Sequence, residues 1–123
     1  MNWAAIGATS LAFAVALGAF GAHALRSRFD AYATGLWDKA VFYHFVHALG
    51  LLAVGLAARA GVLGAAGANR VCWLLAAGVL IFSGSLYALA LSGIRTLGAI
   101  TPIGGTAFIA AWVLLAIELA RSR

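Results

Sequence analysis

The stretch at residues 41–60, VFYHFVHALGLLAVGLAARA, carries two of the three histidines of the chain, His44 and His47. A helix that crosses a membrane needs about 20 consecutive, mostly apolar residues, and this stretch has that length. Histidine is costly in hydrocarbon, so an intramembrane pair is expected to face other helices or water. The stretch therefore predicts a membrane helix that contributes polar groups to the interior of a bundle.

The composition of the whole chain agrees with a membrane location. Of its 123 residues, 65% are hydrophobic and 9% are charged, whereas a soluble domain has about 25% charged residues. The net charge is +5, but the basic residues stand singly between apolar runs. That pattern is typical of membrane flanks and disfavours a nucleic-acid partner. The length allows one integral membrane domain, residues 1–123, with the lipid bilayer as its first partner.

Four apolar stretches are long enough to span a membrane. Asn69 is suited to cap the third of them, and Thr101 with Pro102 is suited to begin the fourth. The fold class predicted is an all-α membrane protein, a four-transmembrane-helix bundle with both termini on one side. The predicted helices cover about residues 3–22, 41–60, 70–91 and 102–120.

Between the first two spans lies a segment with a different pattern, about residues 24–39. Leu25, Phe29, Tyr32 and Leu36 recur along one helical stripe. This spacing predicts a short amphipathic interfacial helix on the membrane surface between helices 1 and 2, with Trp37 near it as an interfacial anchor. The alternative is that the second span begins early, inside this segment.

Two further patterns concern helix contacts and charge. In the first span, small residues recur at every fourth position, which predicts close approach of another helix. Glu118 and Arg121 stand three residues apart and predict an interfacial ion pair. Four basic residues flank each side of the predicted bundle, so the count alone does not set the orientation. If Lys39 is counted as part of the second helix, more basic residues lie on the side of the termini, which places both termini in the cytoplasm. The small residues are Ser10, Ala14, Gly18 and Ala22.

The predicted topology gathers most polar side chains in one half of the bilayer. A second helix that begins near Val41 places His44 and His47 roughly 5 and 10 Å inside the face of the first loop. The third helix ends at that face, and the fourth begins there. The expected ligand-binding or structural polar cluster consists of His23, Tyr43, His44, His47, Ser83, Ser85, Tyr87, Thr101, Gly104 and Gly105.

The two histidines share one helix face and could ligate a metal together with His23. No intramembrane carboxylate or thiolate accompanies them, and haem would need ligands that face each other from separate helices. We therefore expect no metal and no cofactor, and side-chain hydrogen bonds that lock the helices together. No phosphate-binding loop, nucleophile elbow or paired carboxylates occur, so no catalytic residue is predicted.

Four motifs in order resemble the DUF423 family, which includes YgdD-like and YwdK-like small membrane proteins and transmembrane protein 256. The resemblance covers nearly the whole chain and implies a four-helix membrane protein, without a catalytic residue to carry over. The bacterial inner membrane is the location expected. The motifs are LGAFGAHAL at residues 17–25, Y-x-x-x-H-A-L at 43–49, FSGSLY at 82–87 and ITPIGG at 100–105.

These patterns favour a non-catalytic accessory or scaffolding protein that packs with lipid, another membrane protein subunit or a second copy of itself. The alternative is a protein that binds a quinone-like, haem or other small amphiphilic ligand at the histidine and tyrosine cluster. A channel or transporter is the weaker third hypothesis, because helices rich in Ala and Gly pack too closely for a pore.

Overall fold

The structure, a computed structural model, describes residues 1–122, and within them four spans of membrane length form one helical bundle. The third span, Ala65–Ser92, is one continuous helix made of α3, a π-helical turn and α4. A 3-10 helix, Arg95–Ala99, leads into the fourth. The helices are α1 Trp3–His23, α2 Ala31–Arg59, α3 Ala65–Gly78, the π turn Val79–Ser83, α4 Gly84–Ser92 and α5 Thr101–Arg121. The predicted four-helix membrane class is confirmed.

The spans pack in the order α1, α2, third span and α5. At one end of the bundle the indole Nε1 of Trp3 donates a hydrogen bond to Asn69 at 2.9 Å. Arg70 pairs with Glu118 at 3.3 Å at the same end. The start of α1, the start of α3 and the end of α5 therefore meet there, and we call this the termini end. The opposite end, which carries residues 24–30 and 93–94, is called the loop end.

Backbone contact holds α1 against α2. A Cβ atom added to Gly7 would lie 2.5 Å from the amide nitrogen of Leu52, and one added to Gly55 would lie 2.5 Å from that of Ala4. Only glycine permits so close an approach of two helices. Packing rather than hydrophobicity drives association in lipid, so this contact is a main stabilising feature of the interface.

Only part of the predicted ladder of small residues on α1 lies in the contact with α2. Ala14 is fully buried, and Gly18 faces a methyl group of Val41. Ala22, however, is exposed. The contact stripe instead includes Gly7 and Ala14, which stand seven residues, or about two turns, apart and so lie on the same face of α1.

The expectation of a separate interfacial helix over residues 24–39 is corrected by the structure. Residues 24–28 form turns, residues 29–30 have no regular structure, and α2 runs unbroken from Ala31. Asp30 sets this start, because its carboxylate accepts a hydrogen bond from the amide of Ala33 at 2.8 Å and caps the helix. The second span thus begins about ten residues earlier than its predicted limit at residue 41.

The apolar stripe of this segment packs against the bundle. Leu25 is buried, while Tyr32 is 47% exposed with the guanidinium of Arg95 4.7 Å above its ring. Trp37, predicted as an interfacial anchor, is buried at 3% exposure. Its Nε1 donates to the carbonyl of Leu17 at 2.9 Å, so it joins α2 to α1.

Two of the local predictions at the other helix ends were wrong. Gly64, not Asn69, precedes the third span, because Asn69 lies inside α3 and its side chain accepts from Trp3. The predicted start of the fourth span at Thr101 and Pro102 is confirmed, although Thr101 is the first residue of α5 and makes no cap bond. Glu118 pairs with Arg70 across the termini end instead of with Arg121.

Candidate functional site: a groove between α1 and the third span

A groove opens between α1 and the third span of the described bundle. It encloses about 580 Å³. Because α1 packs chiefly on α2, its other flank stands apart from α4 and leaves this space. Most of the wall is apolar, as expected for a surface that faces lipid. The lining residues are Asn2, Ala5, Ile6, Thr9, Ser10, Phe13, Leu17, His44, Val79, Leu80, Gly84 and Tyr87.

Three polar side chains lie at the floor of the groove. Nε2 of His44 lies 3.0 Å from the hydroxyl of Ser10, and Nδ1 lies 2.9 Å from the hydroxyl of Tyr87. The imidazole is buried and both of its nitrogens are hydrogen-bonded. A neutral imidazole offers one donor and one acceptor, so the two hydroxyls take complementary roles. This chain of bonds joins α1, α2 and α4.

The π turn forms part of the groove wall that lies opposite α1. Single π turns inside α-helices are rare and often occur at functional sites. Ser83, fully buried in this turn, donates its hydroxyl to the carbonyl of Ala40 at 2.8 Å. One residue further on, Gly84 borders the groove, and a Cβ added there would meet nothing within 4 Å. The wall is therefore widened at Gly84 by the absence of a side chain.

A second polar contact lies on the α5 side of the third span. The hydroxyl of Ser85 is 3.0 Å from the carbonyl of Phe82 and 2.6 Å from Oγ1 of Thr101. If Ser85 donates its single proton to Phe82, Thr101 donates to Ser85. The bond ties α4 to the first turn of α5.

His47 belongs to neither of these contacts. It is buried on the α5 side of α2, where Nδ1 lies 2.7 Å from the carbonyl of Tyr43 in its own helix. Its ring stacks on Phe108 with centroids 3.4 Å apart and planes 11° apart. Tyr43 in turn packs on Phe82, with ring centroids 4.4 Å apart. The two histidines thus face different neighbours.

The residues predicted as one cluster are consequently divided among several places. His23 is exposed at the end of α1, far from His44. Gly104 packs directly on the backbone of Phe82, and Gly105 lies beside the same ring. Gly104 serves close helix packing, because an added Cβ would clash with the backbone of Phe82, whereas a Cβ on Gly105 would make only ordinary contact at 3.7 Å.

The predicted depth of the histidines also needs correction. His44 bonds to Ser10, which stands thirteen residues before His23, or roughly 20 Å from the loop end at 1.5 Å per residue. The expected depth was roughly 5 Å. The difference arises because α2 begins at Ala31 rather than near residue 41. The histidine contacts therefore lie deep in the bundle.

Sequence reasoning missed Ser10 and Leu17 as hydrogen-bond partners. Ser10 was assigned to the small-residue ladder, and its position on that face was the available signal. Leu17 takes part through its backbone carbonyl, which no sequence pattern reveals. Within residues 1–122, no group of three or more His, Cys, Asp and Glu side chains lies close enough to hold a metal ion.

The fold and these contacts define a small polytopic membrane protein, a four-helix bundle with a lateral groove. Comparison with known proteins identifies the family of the chain. Residues 17–105 match the family described as "Protein of unknown function (DUF423)". The chain belongs to the DUF423 family, as its sequence motifs indicated.

Curated relatives carry the same description of a membrane protein. The chain is 47% identical over 112 residues to a UPF0382 membrane protein of Staphylococcus saprophyticus, covering 91% of each chain. It is 43% identical over 112 residues to UPF0382 membrane protein YwdK of Bacillus subtilis, covering 91% of this chain and 90% of that one. No solved structure matches the chain. The bacterial sources of these relatives fit an inner-membrane location.

Proposed function

We propose that this protein is a non-catalytic accessory membrane protein that holds one acyl chain of a phospholipid in the groove between α1 and the third span. The shape of the groove supports this proposal. The α1 wall runs from Asn2 to Leu17, roughly 22 Å at 1.5 Å per residue. A volume of about 580 Å³ over that length gives a mean cross-section of roughly 26 Å².

A membrane offers two kinds of occupant for such a groove, a lipid chain and a helix of another protein, and their cross-sections differ. A helix with its side chains is about 10–12 Å wide, so its cross-section is roughly 80–110 Å². A single hydrocarbon chain can lie within the groove, whereas a helix could place only side chains there. The apolar walls of the groove, such as Phe13 and Leu80, match a hydrocarbon chain, and no Asp, Glu, Lys or Arg lines the groove within the described range.

The hydrogen bonds at the floor of the groove support a structural role for His44. Both nitrogens of His44 are paired within the protein. Across residues 1–122, every fully buried side-chain nitrogen or oxygen has a hydrogen-bond partner. His44 bridges Ser10 of α1 and Tyr87 of α4, so its two hydrogen bonds link three helices. The floor therefore stabilises the bundle while the walls hold the chain.

Gly84→Leu tests the proposal, because its side chain would fill the groove without meeting protein atoms near its Cβ. Gly35→Leu is the matched control, since a Cβ on Gly35 also meets nothing within 4 Å but lies outside the groove. Native mass spectrometry of protein purified in mild detergent should show one retained phospholipid for the wild type and for Gly35→Leu. Gly84→Leu should lose it.

Equal lipid retention in all three proteins would contradict the proposal. So would a stoichiometric protein subunit that leaves when Gly84 is replaced, since that result assigns the groove to a helix of a partner. Elution as a single folded species confirms that each variant can be compared.

A further inference from the structure

The second histidine, His47, has a fixed orientation and one unused nitrogen. Its side chain is 5% exposed, and Nδ1 lies 2.7 Å from the carbonyl oxygen of Tyr43. A carbonyl only accepts, so Nδ1 carries the proton, and Nε2 of the neutral ring is an acceptor. Stacking on Phe108 at a centroid distance of 3.4 Å fixes the plane of the ring. The direction of the Nε2 lone pair is thereby set.

This lone pair has no partner among residues 1–122, where the His47 side chain makes only the Nδ1 hydrogen bond. In the same range no fully buried side-chain nitrogen lacks a partner. Nε2 must therefore be slightly accessible at the surface of the protein. His47 lines a cavity of about 410 Å³ between α2 and α5. An acceptor without a partner is costly in hydrocarbon, where water is not at hand.

The walls of this cavity indicate the shape of its ligand. Tyr43, Phe82, Phe108 and Trp112 line it together with His47. Aromatic side chains favour a flat ring, in stacked or edge-on contact. No Asp, Glu, Lys or Arg of the described chain lines it, so the ligand is neutral. The volume lies within the range of small-molecule sites, roughly 300–1,000 Å³.

We propose that this cavity binds a membrane-dissolved aromatic ring that carries a hydroxyl group, a ligand of the hydroquinone class. The ring lies among the aromatic walls, and its hydroxyl donates a hydrogen bond to Nε2 of His47. An oxidised quinone offers only carbonyl acceptors, so the site selects the hydroxylated form. The site is separate from the groove of α1 and does not depend on lipid binding there.

The test compares a short-chain hydroquinone with its dimethyl ether, which has nearly the same shape but no hydroxyl donor. Wild-type protein in nanodiscs should bind the hydroquinone about tenfold more tightly than the ether, as expected for one hydrogen bond to a buried group. His47→Phe keeps an aromatic ring to stack on Phe108 and should reduce hydroquinone affinity about tenfold. Affinity for the ether should not change.

Two controls keep the result interpretable. His23→Phe replaces a histidine that is exposed at the end of α1 and should bind both compounds as the wild type does. Gly105→Leu places a side chain in the cavity, where an added Cβ makes only ordinary contact with Phe82, and should weaken both compounds. The ¹⁵N shift of Nε2 in His47 should move when hydroquinone saturates the wild type.

Equal affinity of the wild type for the two compounds would overturn the proposal, as would no binding of hydroquinone. An unmoved Nε2 signal at saturation would also overturn it. If His47→Phe does not fold, the ether comparison, Gly105→Leu and the ¹⁵N shift still decide the outcome.

Discussion

The hydroxyl of Tyr87 lies 2.9 Å from Nδ1 of His44, and this contact joins the third span to α2 deep in the bundle. Ser10 holds the other ring nitrogen from α1 at 3.0 Å. The imidazole is therefore the middle member of a chain across three helices. Loss of either hydroxyl leaves a ring nitrogen without its partner in a region where water cannot replace it.

Tyr87→Phe should lower the free energy of unfolding by about 1–2 kcal/mol, the upper part of the range for interhelical hydrogen bonds in membranes. Unfolding by denaturing detergent in mixed micelles measures the change. Tyr32→Phe is the matched control and should have little effect, because the Tyr32 ring is 47% exposed at the loop end. Similar losses in both variants would mean that the bond of Tyr87 contributes nothing specific.

The contact of Gly7 with Leu52 should be the most sensitive point of the α1–α2 interface. Gly7→Ala places a Cβ 2.5 Å from a backbone nitrogen, which no side-chain rotation can relieve. We expect a loss of about 1–3 kcal/mol, as for other overpacked sites. Gly35→Ala in α2 should instead gain about 0.5–1 kcal/mol, since its Cβ meets nothing. A tolerated Gly7→Ala would contradict the close approach of the two helices.

Cys72, the single cysteine, should report the folded state directly. Its side chain is fully buried among the cores of α2, α3 and α5. A maleimide reagent should leave it unmodified in mild detergent and modify it fully after denaturation, as mass spectrometry would show. Rapid labelling of the native protein would mean that α3 packs differently from the structure described.

The arrangement of the bundle predicts which loops share a membrane side. In a Cys72→Ala background, new cysteines at Gly61 and Ser122 should react with an impermeant reagent from the same side. A cysteine at Gly93 should react from the opposite side. The reason is that α1, α3 and α5 meet through Trp3–Asn69 and Arg70–Glu118 at the termini end. Labelling of Gly61 and Gly93 from one side would exclude this topology.

Hydropathy was sufficient to find all four spans, because a run of about 20 apolar residues has few alternatives in a lipid solvent. The beginning of α2 was harder to place. Residues 31–40 contain Asp38 and Lys39, which lower hydropathy without breaking a helix. The cap made by Asp30 sets the true start. That ten-residue difference also accounts for the wrong depth of His44.

The candidate site was predicted only as a collection of residues. The sequence placed His44 and Tyr87 inside the bundle, and the structure brings them into contact. The sequence could not show that His44 and His47 have different partners. Residues three apart share a helix face, and their partners depend on how the other helices pack. The groove itself depends on α1 packing mainly against α2, which no local pattern encodes.

The π turn at Val79–Ser83 has a consequence for changes in chain length. An α-helix rotates about 100° with each residue, so a one-residue deletion in most of a spanning helix turns everything beyond it toward new neighbours. A wide turn can give up one residue and relax to ordinary α geometry, with the flanking halves still facing as before. The third span can therefore tolerate the deletion of one residue at this point. Ser83 would lose its hydrogen bond to the carbonyl of Ala40, but the side chains of Cys72 and Tyr87 would keep their orientations.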